Sequence, residues 1–204
     1  MGDGTLRDLA EARFHFDTLM GILITHEHAD HTGGLFSLLH FLKHVPHPDP
    51  LYILSPKPIT YLRRFLVKPL MYSKIPFKVI LKEVGDDETT KVKIGSFEIS
   101  SFRAAHVDFE SIGYSIRDSQ DGFRVVMSGD TMASRKLIRE VKDADLAILE
   151  STFEDGQEKF ARAFGHMTTS QAKKVGRLAK KAILVHQMPQ EYFRIMTCAV
   201  IPSE

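Results

Sequence analysis

The sequence has almost no cysteine and almost no net charge. Cys198 is the single thiol, so no internal disulfide and no cysteine metal cluster can form, and any metal must sit on His, Asp and Glu. The 27 Lys and Arg against 26 Asp and Glu leave a formal net charge of +1, which gives no global pull toward nucleic acid. A nucleic-acid substrate would therefore need a local basic patch. No apolar run reaches about 18 residues, and Met1-Gly2-Asp3-Gly4 lacks the charged-then-apolar pattern of a signal peptide. These absences lead us to expect a cytoplasmic protein with no membrane partner.

What is present is an ordinary globular composition: 204 residues, 43% hydrophobic and 26% charged, enough for one core. No internal repeat, low-complexity tract or long linker divides the chain, so 1–204 is expected to be one domain. Short apolar or alternating runs bounded by turn residues predict strands at 20–24, 51–54, 77–81, 92–104, 112–116, 125–127, 146–149 and 183–185. Apolar residues at helical spacing (Leu35, Leu38, Leu39, Leu42) predict a helix over 32–44, with others over 135–141 and 169–181. Ser55-Pro56 has the N-cap and first-turn signature of a further helix through Ile59, Leu62 and Leu66. Strands between helices, together with a hairpin-like succession from Phe77 to Met127, predict an α/β (α+β) fold of mixed sheets covered by helices.

The chemistry concentrates in Thr25-His26-Glu27-His28-Ala29-Asp30-His31, a strand-to-helix loop. His26 and His28 project to one side if the backbone stays extended, while Asp30 and His31 continue round the turn toward a neighbouring position. Imidazole nitrogen and carboxylate oxygen suit a borderline cation such as zinc, and a carboxylate can bridge two ions. Protonated and unliganded, such a cluster would repel itself, so metal binding is the expected reading. His106, Asp130 and His186 each follow an apolar strand, at the rim where α/β folds hold their sites. Taken singly, each reads as a hydrogen-bonded structural residue; the loop makes ligation the stronger reading. His15, His40, His44 and His47 are read as surface or packing residues.

On these residues the chain resembles the metallo-β-lactamase superfamily, and within it the ribonuclease Z group and its phosphodiesterase relatives. The matching segments are the loop from His26 to His31, Ala105-His106 with Gly113-Tyr114, Ser128-Gly129-Asp130-Thr131, Leu149-Glu150-Ser151-Thr152-Phe153, Gly165-His166-Met167-Thr168 and Ile183-Leu184-Val185-His186. The resemblance implies an αββα sandwich of two mixed sheets flanked by helices. It also implies that His26, His28 and His106 bind one divalent metal, that Asp30, His31 and His186 bind a second, and that Asp130 bridges them. Zinc is the first chemical choice, and manganese tolerates the same ligands. Asp30 would also orient the attacking water, and His166, its ring held by Glu150, would give a proton to the leaving group. The plainer alternative has Glu150 capping or pairing with a lysine and His166 exposed on a loop.

The activity implied is that of a dinuclear phosphodiesterase acting on an RNA 3′ end or a small cyclic phosphodiester. Hydrolysis of an ester, thioester or lactam, or an inactive metal-binding protein, are the alternatives. Members with di-iron redox chemistry carry a glutamate where this chain has His28, which favours hydrolysis. Lys173-Lys174, Arg177 and Lys180-Lys181 form a basic stripe that could touch phosphate or simply face water. Three features depart from the family pattern. Gly2-Asp3-Gly4-Thr5-Leu6-Arg7 resembles the end of the family's opening segment, as though the first strands were absent; a homodimer that completes the sheet edge, or a fragile fragment, is expected. His106 and Asp130 lie too close in sequence for the long basic arm that grips transfer RNA. Gln187-Met188-Pro189-Gln190-Glu191-Tyr192 lacks the phosphate-binding arginine.

Overall fold

The computed structural model describes residues 2–56, 76–85, 91–107 and 110–193. The helix expected through Ile59, Leu62 and Leu66, and Cys198, lie outside the described residues. The strands sort into two sheets. The smaller contains β1 (Gly21–Leu23), β2 (Leu51–Ser55) and β3 (Val79–Glu83), all paired in parallel. The larger runs in sequence order through β4 (Lys91–Ile94), β5 (Phe97–Arg103), β6 (Ile112–Asp118), β7 (Arg124–Met127), β8 (Leu146–Glu150) and β9 (Ala182–Val185). Its first four strands are antiparallel and its last three parallel, so this sheet is mixed.

The strand expected over 92–104 splits at Gly95, whose φ of +58° supplies the left-handed turn of a two-residue hairpin between β4 and β5. Helices α1 (Thr5–Glu11), α2 (Ala29–Thr32) and α3 (Leu35–Leu42) belong with the smaller sheet. Those with the larger are α4 (Arg135–Val141), α5 (Glu158–Phe164) and α6 (Thr169–Gly176). The helix read over 169–181 stops at Gly176, where a Cβ would stand 2.8 Å from that of Ala182. Only a bare backbone lets the end of α6 pack this tightly on β9. Local signals fix the starts of two helices: Ser134 accepts from Leu137 N–H to cap α4, and Thr168 with Gln171 forms a capping box on α6.

Three apolar clusters make the layers. Leu35, Leu38, Leu39 and Leu42 of α3 pack on Ile22, Ile24, Leu51 and Ile53 of the smaller sheet. Leu54 meets Val92, Ile94, Ile99, Ile112 and Tyr114 between the sheets. Leu137, Val141, Ala172 and Val175 cover Phe102, Val126, Ala147 and Leu149 on the outer face of the larger sheet. Full burial of such side chains is worth roughly 1.5–3 kcal/mol each. The order helix, sheet, sheet, helix is an αββα sandwich. Strands β1, β5, β7, β8 and β9 all end at one rim, and every candidate ligand follows one of them. Two bonds tie the sheets there: Tyr114 donates its hydroxyl proton to Ile24 O at 2.6 Å, and Ile112 N–H donates to Thr25 O at 3.0 Å. Among the described residues no helix is long and apolar enough to cross a membrane.

Candidate metal centre

At the rim the loop after β1 and the strand ends of the larger sheet converge. Gly129 makes this possible, because its φ is +60° and a Cβ there would lie 2.8 Å from Ile112 O. The turn carrying Asp130 thus passes close under the histidine loop. The structure brings together every candidate metal ligand named from the sequence, with His166 beside them. His26, His28, His106 and Asp130 each offer a donor atom, all within 4.8 Å of one another; Asp30, His31 and His186 form a second such group, and Asp130, His166 and His186 a third. Asp130 Oδ2 lies between the first two, 3.8 Å from His26 Nε2, 3.2 Å from His31 Nε2 and 3.6 Å from His186 Nε2. Within the groups, His26 Nε2 is 2.8 Å from His28 Nδ1, and His186 Nε2 is 3.2 Å from His31 Nε2 and 3.3 Å from Asp30 Oδ2.

The donor set fits a borderline divalent cation. His106 Nδ1–H donates to Gly165 O at 3.2 Å, which leaves a lone pair on Nε2, and that nitrogen is buried with no hydrogen-bond partner. An orphaned buried polar atom ordinarily costs about 1–3 kcal/mol, and a cation removes the penalty. His186 is held at φ +58°, an uncommon conformation for a side-chain-bearing residue, with Nδ1 2.8 Å from Thr152 Oγ1. Glu27 Oε1 is also buried without a partner, and burial raises its pKa, but Glu27 belongs to none of these donor groups.

The electrostatics suit ligation. Burial first, and then the charge of His31, push the His26 pKa down to about 3, so its imidazole is a neutral lone-pair donor. Burial likewise lowers His106. For Asp130 burial acts upward, but the hydrogen bond from His31 and the charges of His186, His31 and His166 together hold it below the usual carboxylate range. Asp30 follows the same pattern: burial is outweighed by His31 and His186.

Glu150 and His166 form a pair beside these groups. Glu150, at the end of β8, is buried; its carboxylate accepts from Thr131 N–H at 2.9 Å, Thr152 N–H at 3.1 Å, Met167 N–H at 3.2 Å, Thr152 Oγ1–H at 2.9 Å and His166 Nδ1–H at 3.0 Å. No lysine is among these partners, and three of them are main-chain amides, as a capping role would also have. Burial opposes protonation of His166, but the hydrogen bond and charge of Glu150 prevail and raise its pKa. Its ring lies 4.9 Å from that of His106 and stacks 5.8 Å from that of His186. Thr152 is the residue that sequence reasoning passed over. Its only signal was its place two positions after Glu150. Lys173, Lys174, Arg177, Lys180 and Lys181 are exposed, and Lys180 is taken by Asp145 at 2.7 Å. His40 and His44 face each other on the α3 side, and His47 packs on Phe77.

Sandwich and donor set together describe a candidate metal centre at the rim of an αββα fold. The family described as the beta-lactamase superfamily domain matches residues 5–186, and the chain belongs to that superfamily. Ribonuclease Z of Archaeoglobus fulgidus is 25% identical over 235 residues, with 91% of this chain and 75% of that protein covered. Zinc phosphodiesterase ELAC protein 2 of Mus musculus is 33% identical over 199 residues, covering 87% of this chain but 24% of its own length. The chain therefore spans about a quarter of that mammalian relative. Human tRNase Z, short form, superposes with a TM-score of 0.80 at 24% identity, covering 94% of this chain and 81% of that one, a likeness of fold.

Proposed function

We propose that this chain is a dinuclear phosphodiesterase of the ribonuclease Z type. The observation that carries the reading is the convergence of two donor groups on Asp130, with the Glu150–His166 pair beside them. His26, His28 and His106 would hold one ion, Asp30, His31 and His186 the other, and Asp130 both. Two divalent cations there would lower the pKa of water toward neutrality and offset charge on the oxygens of an in-line displacement. Asp30, exposed at the mouth, orients the attacking water as a hydrogen-bond acceptor. His166 keeps the proton on Nδ1 against Glu150 and gives the one on Nε2 to the departing oxygen. That step favours a leaving group that needs a proton, such as the alkoxide of a phosphodiester, over the thiolate of a thioester.

On this reading the ions are zinc, with manganese as substitute, and the substrate is an RNA 3′ end or a small phosphodiester. The relatives' names support the class of bond. The protein is taken as one domain working in the cytoplasm as a homodimer. The test is metal content per chain by elemental analysis, paired with turnover of bis(p-nitrophenyl) phosphate with and without added zinc or manganese. About two ions with turnover are expected. Bound metal without turnover would move the reading to another bond or to an inactive protein, and no metal uptake would end it.

A further inference from the structure

Both halves of the site meet at one hydroxyl. Thr152 is buried just after β8, and its Oγ1 lies 2.9 Å from Glu150 Oε2, 2.8 Å from His186 Nδ1 and 3.1 Å from His166 Nδ1. A hydroxyl has one proton and two lone pairs, and an ionised carboxylate can only accept. The Thr152 proton therefore goes to Glu150, and both other contacts must be donated to Oγ1 by the rings. Nδ1 then carries hydrogen on His186 and on His166 alike. On a neutral His186 ring this leaves the lone pair at Nε2, the atom that faces His31 Nε2 and Asp30 Oδ2. On His166 the Nδ1–H is shared between Thr152 and Glu150 Oε1. The main chain anchors the hydroxyl from two sides: Thr152 N–H donates to Glu150 Oε2 at 3.1 Å, and Met188 N–H donates to Thr152 O at 3.0 Å.

We propose that Thr152 is a positioning residue whose single hydroxyl sets both the tautomer and the orientation of His186 and of His166, so that the second donor group and the acid depend on one side chain. The other donor group has its own supports: His106 Nδ1–H donates to the main-chain Gly165 O, and His26 Nδ1 lies 3.1 Å from Thr25 Oγ1. His186 is oriented by a side chain, so a change at Thr152 acts on its group and not on His26, His28 and His106. The inference rests on the metal-centre reading above for its meaning, but its test does not depend on phosphodiester turnover.

The full chain, loaded with zinc, is titrated against a chromophoric chelator to give the affinity of each ion. Thr152→Val keeps the side-chain shape and removes the hydroxyl. One of the two zinc affinities is expected to fall about 10- to 100-fold while the other is unchanged. Thr152→Ser, which keeps the hydroxyl, should recover most of the loss, as a purely packing role would not require. If the valine variant fails to fold, the wild-type protein decides alone: long-range ¹H–¹⁵N spectra of its labelled histidines should show hydrogen on Nδ1 of His186 and His166. Hydrogen on Nε2 with a bare Nδ1 at His186, equal zinc affinities in valine variant and wild type, or a serine variant no better than valine would each overturn the proposal. A wild-type chain that takes up no zinc would defeat the dinuclear reading instead, and the tautomer spectrum would still decide the role of Thr152.

Discussion

Glu150→Ala removes an acceptor on which five donors converge: the amides of Thr131, Thr152 and Met167, the Thr152 hydroxyl and the His166 ring. The hydroxyl and the ring can turn to other partners. The three amides cannot, because each sits in a main-chain segment held at both ends. A buried donor left without an acceptor costs about 1–3 kcal/mol, and water entering the space of the lost side chain recovers part of it. A working figure is about 4 kcal/mol, set against the roughly 5–15 kcal/mol that holds a domain together. With a urea slope of about 2 kcal/mol per molar, the unfolding midpoint should fall by about 2 M. Equilibrium urea unfolding in chelator, where bound ions cannot contribute, measures it. His166→Ala, which removes one donor and leaves the acceptor, is the control and should cost about 1 kcal/mol. A Glu150→Ala midpoint within about 0.5 M of wild type would refute the view that this carboxylate organises the three segments before it serves any catalytic purpose.

Four further outcomes follow from the same geometry. His166→Ala should retain its full complement of ions by elemental analysis while turnover falls about 10²- to 10⁴-fold, whereas Asp130→Ala should lose both ions. In Glu150→Gln the largest influence that raises the His166 pKa is weakened and burial is opposed mainly by the charges of Asp130 and Asp30, so the alkaline limb of the pH–rate profile, which needs protonated His166, should move to lower pH. Gly165→Ala places a Cβ 2.8 Å from Val107 N at φ +73°, shifting the His106 backbone, so chelator titration should show weakening of one ion only. Stability in chelator should decline as pH falls from about 6.5 toward about 3, because unfolded His26 binds a proton that folded His26 refuses. A flat urea midpoint across that window would contradict the buried neutral His26.

The metal loop was legible because its donors lie within one short stretch and their residue types exclude most other uses. The ends of the apolar strands placed His106, Asp130 and His186 at a common rim, since a strand presents its following residue wherever its sheet ends. Assigning the candidate ligands to two groups needed the family resemblance, because periodicity says nothing of which strand ends are neighbours. Helices α1 and α5 escaped for a different reason: α1 buries no residue and α5 only Ala161, so neither shows an apolar stripe. Nor does an apolar run carry its direction, which is why the wholly parallel pairing of β1, β2 and β3 was not foreseen. Thr152 was invisible for the strongest reason. Its partners lie 2, 14 and 34 positions away, and only the fold makes them neighbours of one hydroxyl.

The donors also come from both sheets: His26, His28, Asp30 and His31 follow a strand of the smaller, and His106, Asp130 and His186 follow strands of the larger. A cation gripped by both would work as a rivet through the sandwich. It closes the chain between distant positions much as a disulfide would, in a protein whose lone thiol cannot do so. Part of the affinity for metal then appears as resistance of the two sheets to sliding or splaying apart. Cells short of the ion would hold not only an idle enzyme but a shorter-lived one, its amount tracking metal supply through proteolysis of the unriveted form.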